Sequence, residues 1–246
     1  MTTVQRVLCV FPCVLSASLA LAAGPAADGQ WHGALSAGGA AASGNTISQS
    51  LALNADASKA TAQDKISLYG LSNYNRSQIS GVNTTTSNLL RLGGRYDYNL
   101  SDTVFAFGGG EYETNKAGGL KSRDNANVGV GYRVYRSADA SVDVFGGVGY
   151  TDVKYTNGLH RNGAEAIVGE EGSYKLSPTT SFKQRLVYYP GSHGLGRRAT
   201  FDAGLATAIS GAWTLNLGLS SRYVSSVPVG VKNTDTLLTM GFGYKY

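Results

Sequence analysis

The sequence predicts an all-β fold: a closed antiparallel transmembrane β-barrel of about 12 strands in an up-and-down meander. Three observations carry this reading. Period-2 alternation of apolar and small or polar residues runs through almost the whole chain, and helical periodicity is missing. The alternating segments are mostly 10 to 15 residues long. Ordinary strands run about 5–6 residues, whereas a tilted strand crossing a bilayer needs about 9–11. The connections alternate between tight turns and longer loops, the plan of an outer-membrane barrel.

The chain opens on "MTTVQRVLCVFPCVLSASLALAAG", with one cation, Arg6, and an apolar run from Val7 to Leu21. Ala20-Leu21-Ala22 then supplies the small residues of a cleavage site, the layout of a secretory signal peptide. The run is shorter than the roughly 20 residues of a spanning helix, and Pro12 interrupts it. Cleavage is expected after Ala22, with an uncleaved anchor as the alternative. This gives three parts: a signal peptide at 1–22, a short periplasmic lead-in at 23–30, and a barrel at 31–246. Both cysteines, Cys9 and Cys13, fall in the signal, so the mature chain carries no disulfide framework and no cysteine metal site. Losing Arg6 lowers the formal net charge from +5 to +4. Charged residues are only 15% of the chain and form no dense basic run, so a nucleic-acid partner is not expected.

Twelve strands follow from the alternation, over 31–42, 46–56, 64–76, 87–99, 103–115, 122–136, 140–155, 163–176, 181–189, 198–209, 213–225 and 234–246. In "LLRLGGRYDY", Leu90, Leu92, Tyr96 and Tyr98 oppose Arg91, Gly93, Arg95 and Asp97. In "NANVGVGYRV", Val128, Val130, Tyr132 and Val134 oppose Asn127, Gly129, Gly131 and Arg133. "FDAGLATAI" sets Phe201, Ala203 and Leu205 against Asp202, Gly204 and Ala206, and "WTLNLGLSSRY" sets Trp213, Leu215, Leu217 and Leu219 against Thr214, Asn216, Gly218 and Ser220. The last segment, "TMGFGYKY", places Met240, Phe242, Tyr244 and Tyr246 on one face and Lys245 on the other.

Tight links follow strands 4, 6, 8 and 10, at "LSD", "SAD", "SPTT" and "SGA". Longer ones follow strands 3, 5, 7, 9 and 11. Two joints deviate: the first, "SGN", reads as short and the second, "ASKATAQ", as longish. Pro178, Pro190 and Pro228 all fall in connections, as continuous ladders require. An even strand number puts both termini on the periplasmic side.

Periodicity alone leaves open whether the apolar face points inward or outward. Strand length, an opposite face rich in Gly, Ser and Asn, and aromatics near strand ends all favour outward. A closed barrel leaves no edge, which a bilayer demands of a spanning sheet. A soluble secreted barrel is the alternative. In "EAIVGEEGSYKL" the same phase aims Glu170 at lipid. Either Glu170 lies near an interface, or a bulge around Gly169 or Gly172 shifts the phase.

"WHGALSAGGAAASGNT", with Trp31, Gly33 and Ser43-Gly44-Asn45-Thr46, and the downstream "VGEEGSYKLS" and aromatic C-terminus together resemble the YdiY-like family of salt-induced outer-membrane proteins, a domain of unknown function. The likeness covers nearly the whole mature chain. It implies an outer-membrane barrel, with a tie to salt or osmotic stress, and brings no catalytic residue, cofactor or substrate. The C-terminal Phe242, Tyr244 and Tyr246 resemble the aromatic signal that barrel-assembly machinery reads on its clients.

Candidate chemistry is sparse. His32 lies near the end of strand 1, and His160 and His193 lie in long loops, with no spacing useful to a metal. Ser192 and His193 are adjacent but lack an orienting acid, so they read as loop residues; an outer-membrane lipid-modifying enzyme is the alternative they keep open. "GLGRRA" matches a loose glycine pattern outside any strand–helix context. The glycines of "FGGGEY" and "FGGVGY" make room for lumen side chains. By parity, Arg91, Arg95, Asp97, Arg133, Glu165, Glu171, Lys183, Arg185, Asp202, Arg222 and Lys245 point into the lumen. Glu171 and Lys183 sit on neighbouring strands close to their shared turn and are expected to pair. Such charges either stitch the interior together or form a cationic eyelet that selects anions. The expectation is a non-enzymatic barrel in the outer membrane of a Gram-negative-type bacterium: a narrow passive pore for small solutes or ions, or an envelope structural protein. Its partners are outer-membrane lipids and the assembly machinery, and no cofactor or metal is expected.

Overall fold

A computed structural model describes residues 27–42, 47–79, 82–191, 195–227 and 232–245. The described residues form twelve strands: β1 (Trp31–Ala42), β2 (Ile47–Ala60), β3 (Asp64–Ile79), β4 (Val82–Asn99), β5 (Val104–Asn115), β6 (Leu120–Arg136), β7 (Ala140–Tyr155), β8 (His160–Lys175), β9 (Thr180–Tyr189), β10 (Arg198–Ser210), β11 (Trp213–Val224) and β12 (Thr234–Lys245). Each pairs antiparallel with its chain neighbour, and β12 returns to β1 to close the ring. Closure removes the sheet edges that unpaired backbone groups would otherwise expose. The expected signal peptide, the "SGNT" hairpin, Ser192, His193, Pro228 and Tyr246 lie outside the described residues.

One end of the barrel carries short turns with a shared local chemistry. Four of the five open on a hydroxyl residue whose side-chain oxygen accepts the backbone N–H three residues on. Thr61 accepts from Asp64 at 3.1 Å; Ser101 from Val104, Ser137 from Ala140 and Ser177 from Thr180, each at 3.0 Å. This hydroxyl turn reverses the chain within a few residues. The fifth turn uses Gly211 at a φ of 53°. The joint after strand 2, expected to be longish, is therefore another tight turn over 61–63. β2 continues to Ala60 because Ala57, Ser58, Lys59 and Ala60 keep pairing with Leu68, Ser67, Ile66 and Lys65. At the opposite, loop end, β4 starts at Val82 rather than at 87. Val82 to Thr85 pair with Ile79 to Arg76, so much of the expected loop is an extended hairpin of strand-favouring Thr and Val. The β5–β6 link winds one 3-10 turn at Lys116–Gly118, closed by Gly119 in the left-handed region.

The two faces separate cleanly. Leu35, Val130 and Phe242 are 55%, 57% and 62% exposed on the outside. The alternate positions hold buried Ser36, Asn54, Ser58, Asn125, Thr200 and Asn216. An apolar face turned outward and a polar one turned inward invert the arrangement of a water-soluble barrel. A register shift between Arg133 and Tyr135 breaks the alternation in β6, so that Val134 and Tyr135 both face out. The inward glycines do steric work. A Cβ on Gly131 would lie 2.1 Å from the Phe105 ring, and one on Gly169 would lie 2.5 Å from the Phe145 ring. Phe105, Phe107 and Phe145 thus turn inward and form a small apolar shelf in an otherwise polar interior.

Candidate functional site

The lumen is the candidate site, and its charges fall into three levels. Nearest the loop end, Arg123 of β6 pairs with Glu113 of β5 at 3.0 Å, and Arg198 of β10 with Glu165 of β8 at 2.8 Å. Glu165 also accepts from Thr151 at 2.5 Å and from Asn125 at 3.2 Å. Leu120, Val153 and Tyr155 pack there with Leu195 from the β9–β10 connection, an apolar cap over this end. At mid-barrel, Arg91 of β4 donates to Glu111 of β5 at 2.5 Å, and the Tyr69 hydroxyl donates to the same carboxylate. Arg91 also stands 3.8 Å from Asp202 of β10, whose two carboxylate oxygens both accept from Arg222 Nη2 of β11, at 2.9 and 3.1 Å. β4 and β10 are far apart around the ring, so Arg91 links opposite walls.

The third level faces the turn end. Arg95 of β4 bonds Asp97 at 2.5 Å and Glu171 of β8 at 3.2 Å. Its guanidinium rests on the phenylalanine shelf, 4.5 Å from the Phe107 ring centroid and 5.0 Å from that of Phe145, a cation–π seat. Arg185 of β9 stands 3.8 Å from Glu171. Arg133 donates to the carbonyls of Ser101 and Asp102 and to the Asn99 side chain, which ties β6 to the β4–β5 turn. A cavity of about 590 Å³ runs from this level into mid-barrel. Its lining runs from Ala27, Thr61 and Ala138 at the turn end up to Tyr189, Thr200 and Asn125.

Every charge proposed from parity has a definite place. Arg91, Arg95, Arg133, Glu171, Lys183, Arg185 and Asp202 line the cavity. Asp97 is buried beside Arg95, and Arg222 sits on Asp202. Lys245 shares its side of β12 with buried Thr239 and Gly243 and stands opposite Ala34 of β1. The expected Glu171–Lys183 pair is not formed. The register sets Glu171 opposite Arg185 and sets Lys183 opposite Ser173, so the carboxylate is taken by the two arginines instead. Phe242 and Tyr244 face outward, and Tyr244 meets Trp213 edge-on at 5.5 Å.

Sequence reasoning passed over Tyr69, Glu111, Glu113, Arg123 and Arg198, which complete the ties, and Asp56, a buried inward carboxylate on β2. Alternation in "FAFGGGEYETN" already places Glu111 and Glu113 on one face with Phe105 and Phe107. The same phase would have found them.

Glu170 lies on the outer face, with no register shift between β7, β8 and β9 to turn it inward. It shares a lateral row with Tyr132, Val144 and Leu186, a row that also holds Val104, the first residue of β5. The Gln184 amide donates to its carboxylate at 3.3 Å. The first alternative, a place toward an interface, therefore describes it. The histidines stay apart: His32 bonds Asp28 at 2.9 Å and His160 bonds Asp152 at 2.6 Å, at opposite ends. The backbone N–H of Gln30, with His32 second, holds the Asp28 carboxyl below its usual range. Among the described residues, no group of three His, Cys, Asp or Glu is placed to hold a metal ion.

Comparison with known proteins fits this picture. The family model described as "Protein of unknown function, DUF481" matches residues 35–246. The uncharacterized protein YdiY of Escherichia coli (strain K12) is 25% identical over 215 residues, covering 87% of this chain and 82% of that protein. Among solved structures, an outer-membrane channel from Pseudomonas putida F1 superposes with a TM-score of 0.50 at 13% identity, over 88% of this chain and 94% of that one. The translocator domain of the autotransporter NalP from Neisseria meningitidis gives 0.43 at 13% identity, over 88% and 87%. The likeness to the channel is one of fold.

Proposed function

The chain belongs to the DUF481 family of proteins of unknown function, and from that premise and the chemistry of its two faces we propose that it is an outer-membrane barrel with a narrow polar lumen that passes small solutes or ions. The observation that carries this reading is the inversion of the faces. Leu, Val and aromatic side chains stand exposed around the outside, while a charged cavity of about 590 Å³ opens within. Aromatics at the turn end, Trp31, Tyr98, Trp213 and Tyr244, suit a headgroup interface on what is then the periplasmic side. Insertion is assigned to the barrel-assembly machinery acting on β12. The interior holds arginine–carboxylate ties, and the reading gives the protein no catalytic role.

Reconstitution of the purified protein into a planar bilayer tests the proposal. A stable unitary conductance of small size is expected, with the protein released from membranes by detergent and not by salt. Release by salt alone would sink the membrane reading. A silent, monodisperse barrel would favour the second reading, an envelope structural protein. That alternative draws on the ties that cross the lumen and the apolar cap around Leu195. A role in salt or osmotic stress rests on family resemblance. It predicts a growth defect of a deletion strain in high salt.

A further inference from the structure

The interior charge is unevenly spread. At mid-barrel and toward the loop end, each of Arg91, Arg123, Arg198 and Arg222 has a carboxylate at 3.0 Å or less. Toward the turn end the balance fails. Cations there come from five strands: Lys65, Arg95, Arg133 with Arg136, Lys183 with Arg185, and Lys245. The carboxylates facing them are Asp56, Asp64, Asp97, Asp102, Asp143 and Glu171. Seven cations thus meet six carboxylates. Lys65, Lys183 and Lys245 lie on β3, β9 and β12, spread around the ring, and none of the three forms an ion pair among the described residues. Lys65 and Lys183 line one cavity, and Lys183 lies within reach of the charges of Lys65 and Lys245 as well as those of Asp56 and Glu171. Unscreened like charges sharing an enclosed space repel, and an anion placed between them removes that cost.

An orphan donor points the same way. Arg95 lines the cavity and is nine-tenths buried, yet its Nη2 has no hydrogen-bond partner, while its Nε and Nη1 are taken by Asp97 and Glu171. A guanidinium with a free N–H and a lysine ammonium together match an acceptor with several oxygens. We infer that the turn-side vestibule is a binding site for a small oxyanion, held between Lys65 and Lys183 with Arg95 and Arg185 supplying further donors and Lys245 adding positive charge from outside the lining. The site is reached from the turn end, so it rests on the barrel reading but not on whether the lumen conducts. The vestibule is the turn-side part of a cavity of about 590 Å³ and has room for a small oxyanion. The competing account is a diffuse cloud of mobile counter-ions, which shows no saturation and no preference between chloride and an oxyanion.

The two accounts separate in a titration of the full-length barrel in detergent with inorganic phosphate, in chloride buffer of fixed ionic strength. Saturable one-to-one binding is expected. Lys183→Gln and Lys65→Gln should each weaken it by about tenfold or more, as loss of one charged partner does in an enclosed site. Lys121→Gln, exposed at the loop end, should leave it unchanged. Heat-modifiable mobility on gels reports whether each variant is a folded barrel, and Lys65→Gln carries the test if Lys183→Gln does not assemble. Absence of saturable phosphate binding to the wild type overturns the site, as does undiminished binding by the folded lysine variants. A barrel that binds phosphate but carries no current keeps the site and sinks only the pore.

Discussion

Arg95 on β4 bonds Glu171 on β8 at 3.2 Å, joining walls four strands apart around a ring of twelve. The contact works as a strut. The Arg95 guanidinium stands 4.5 Å from the Phe107 ring centroid and 5.0 Å from that of Phe145, and those rings fit because Gly129 and Gly169 leave space for them. A side chain held by two rings and two carboxylates loses little further freedom on pairing, so the strut is ordered rather than a fluctuating surface pair.

Removing that strut should widen the lumen. Arg95→Ala is expected to raise the unitary conductance in planar bilayers and to lower unfolding stability by about 1–3 kcal/mol, the usual cost of stranding a buried charged acceptor. Arg185 at 3.8 Å keeps Glu171 partly satisfied, which holds the loss to that range. Arg95→Lys should not restore the wild type, because an ammonium cannot lie over two rings and bridge two carboxylates at once. Unchanged conductance with Arg95→Ala would remove the strut from the account of the lumen.

The shelf beneath Arg95 makes a separate prediction. The three atoms nearest a Cβ on Gly131 all belong to the Phe105 ring, at 2.1, 2.5 and 2.6 Å. Gly131→Ala should therefore destabilise the barrel by about 1–3 kcal/mol through overpacking. Phe105→Leu shortens the offending side chain and should recover part of the loss. A double-mutant cycle by urea unfolding should show a coupling of about 0.5–3 kcal/mol. Simple additivity would mean that the ring does not set the requirement for glycine.

These two cases show what the sequence made legible. Alternation in "NANVGVGYRV" places Gly129, Gly131 and Arg133 on the inner face, and strand limits such as 140–155 follow from the same pattern. The seam between "TMGFGYKY" and "WHGALSAGG" follows from closure alone. Parity assigns a face but not a height, and ion pairs depend on height. Glu171 and Lys183 look adjacent along the hairpin, yet the register offsets them and brings Arg95 from four strands away. Such cross-lumen ties depend on barrel tilt and diameter, which no local pattern encodes. Bulges hide in the same way: the shift between Arg133 and Tyr135 turns Tyr135 outward against its phase.

Glu170 on the outer face should be a liability. It stands in a row of Tyr132, Val144 and Leu186, with Gln184 as its hydrogen-bond donor. A carboxylate facing lipid costs less than the roughly 2–4 kcal/mol of a midplane arginine, and less again toward the interface. Glu170→Leu should therefore stabilise the barrel by about 1 kcal/mol in vesicle unfolding. A destabilised Glu170→Leu barrel would show instead that the carboxylate has a positive role at the outer surface.

The closing seam gives the last prediction. The pairing of β1 with β12 spans Ala34 to Ala37 against Lys245 to Phe242, four pairs, where β1 and β2 make twelve. Deleting Phe242 to Tyr246 removes every one of those pairs and leaves two open edges, which a bilayer does not tolerate. No heat-modifiable barrel should then reach the membrane fraction. That result alone does not separate a lost seam from a lost assembly signal, because both reside in the same residues. Phe242→Ala with Tyr244→Ala separates them, since the backbone pairs with Leu35 and Ala37 remain while the aromatic side chains go. If the aromatics are read by the assembly machinery, the double variant should accumulate at reduced yield, yet the fraction that inserts should be fully heat-modifiable. The Trp213–Tyr244 contact is lost as well, worth about 0.5–1.5 kcal/mol, too little to unfold an inserted barrel. Wild-type yield from the double variant would assign the role of this strand to closure alone, and a normal heat-modifiable barrel from the deletion would refute both.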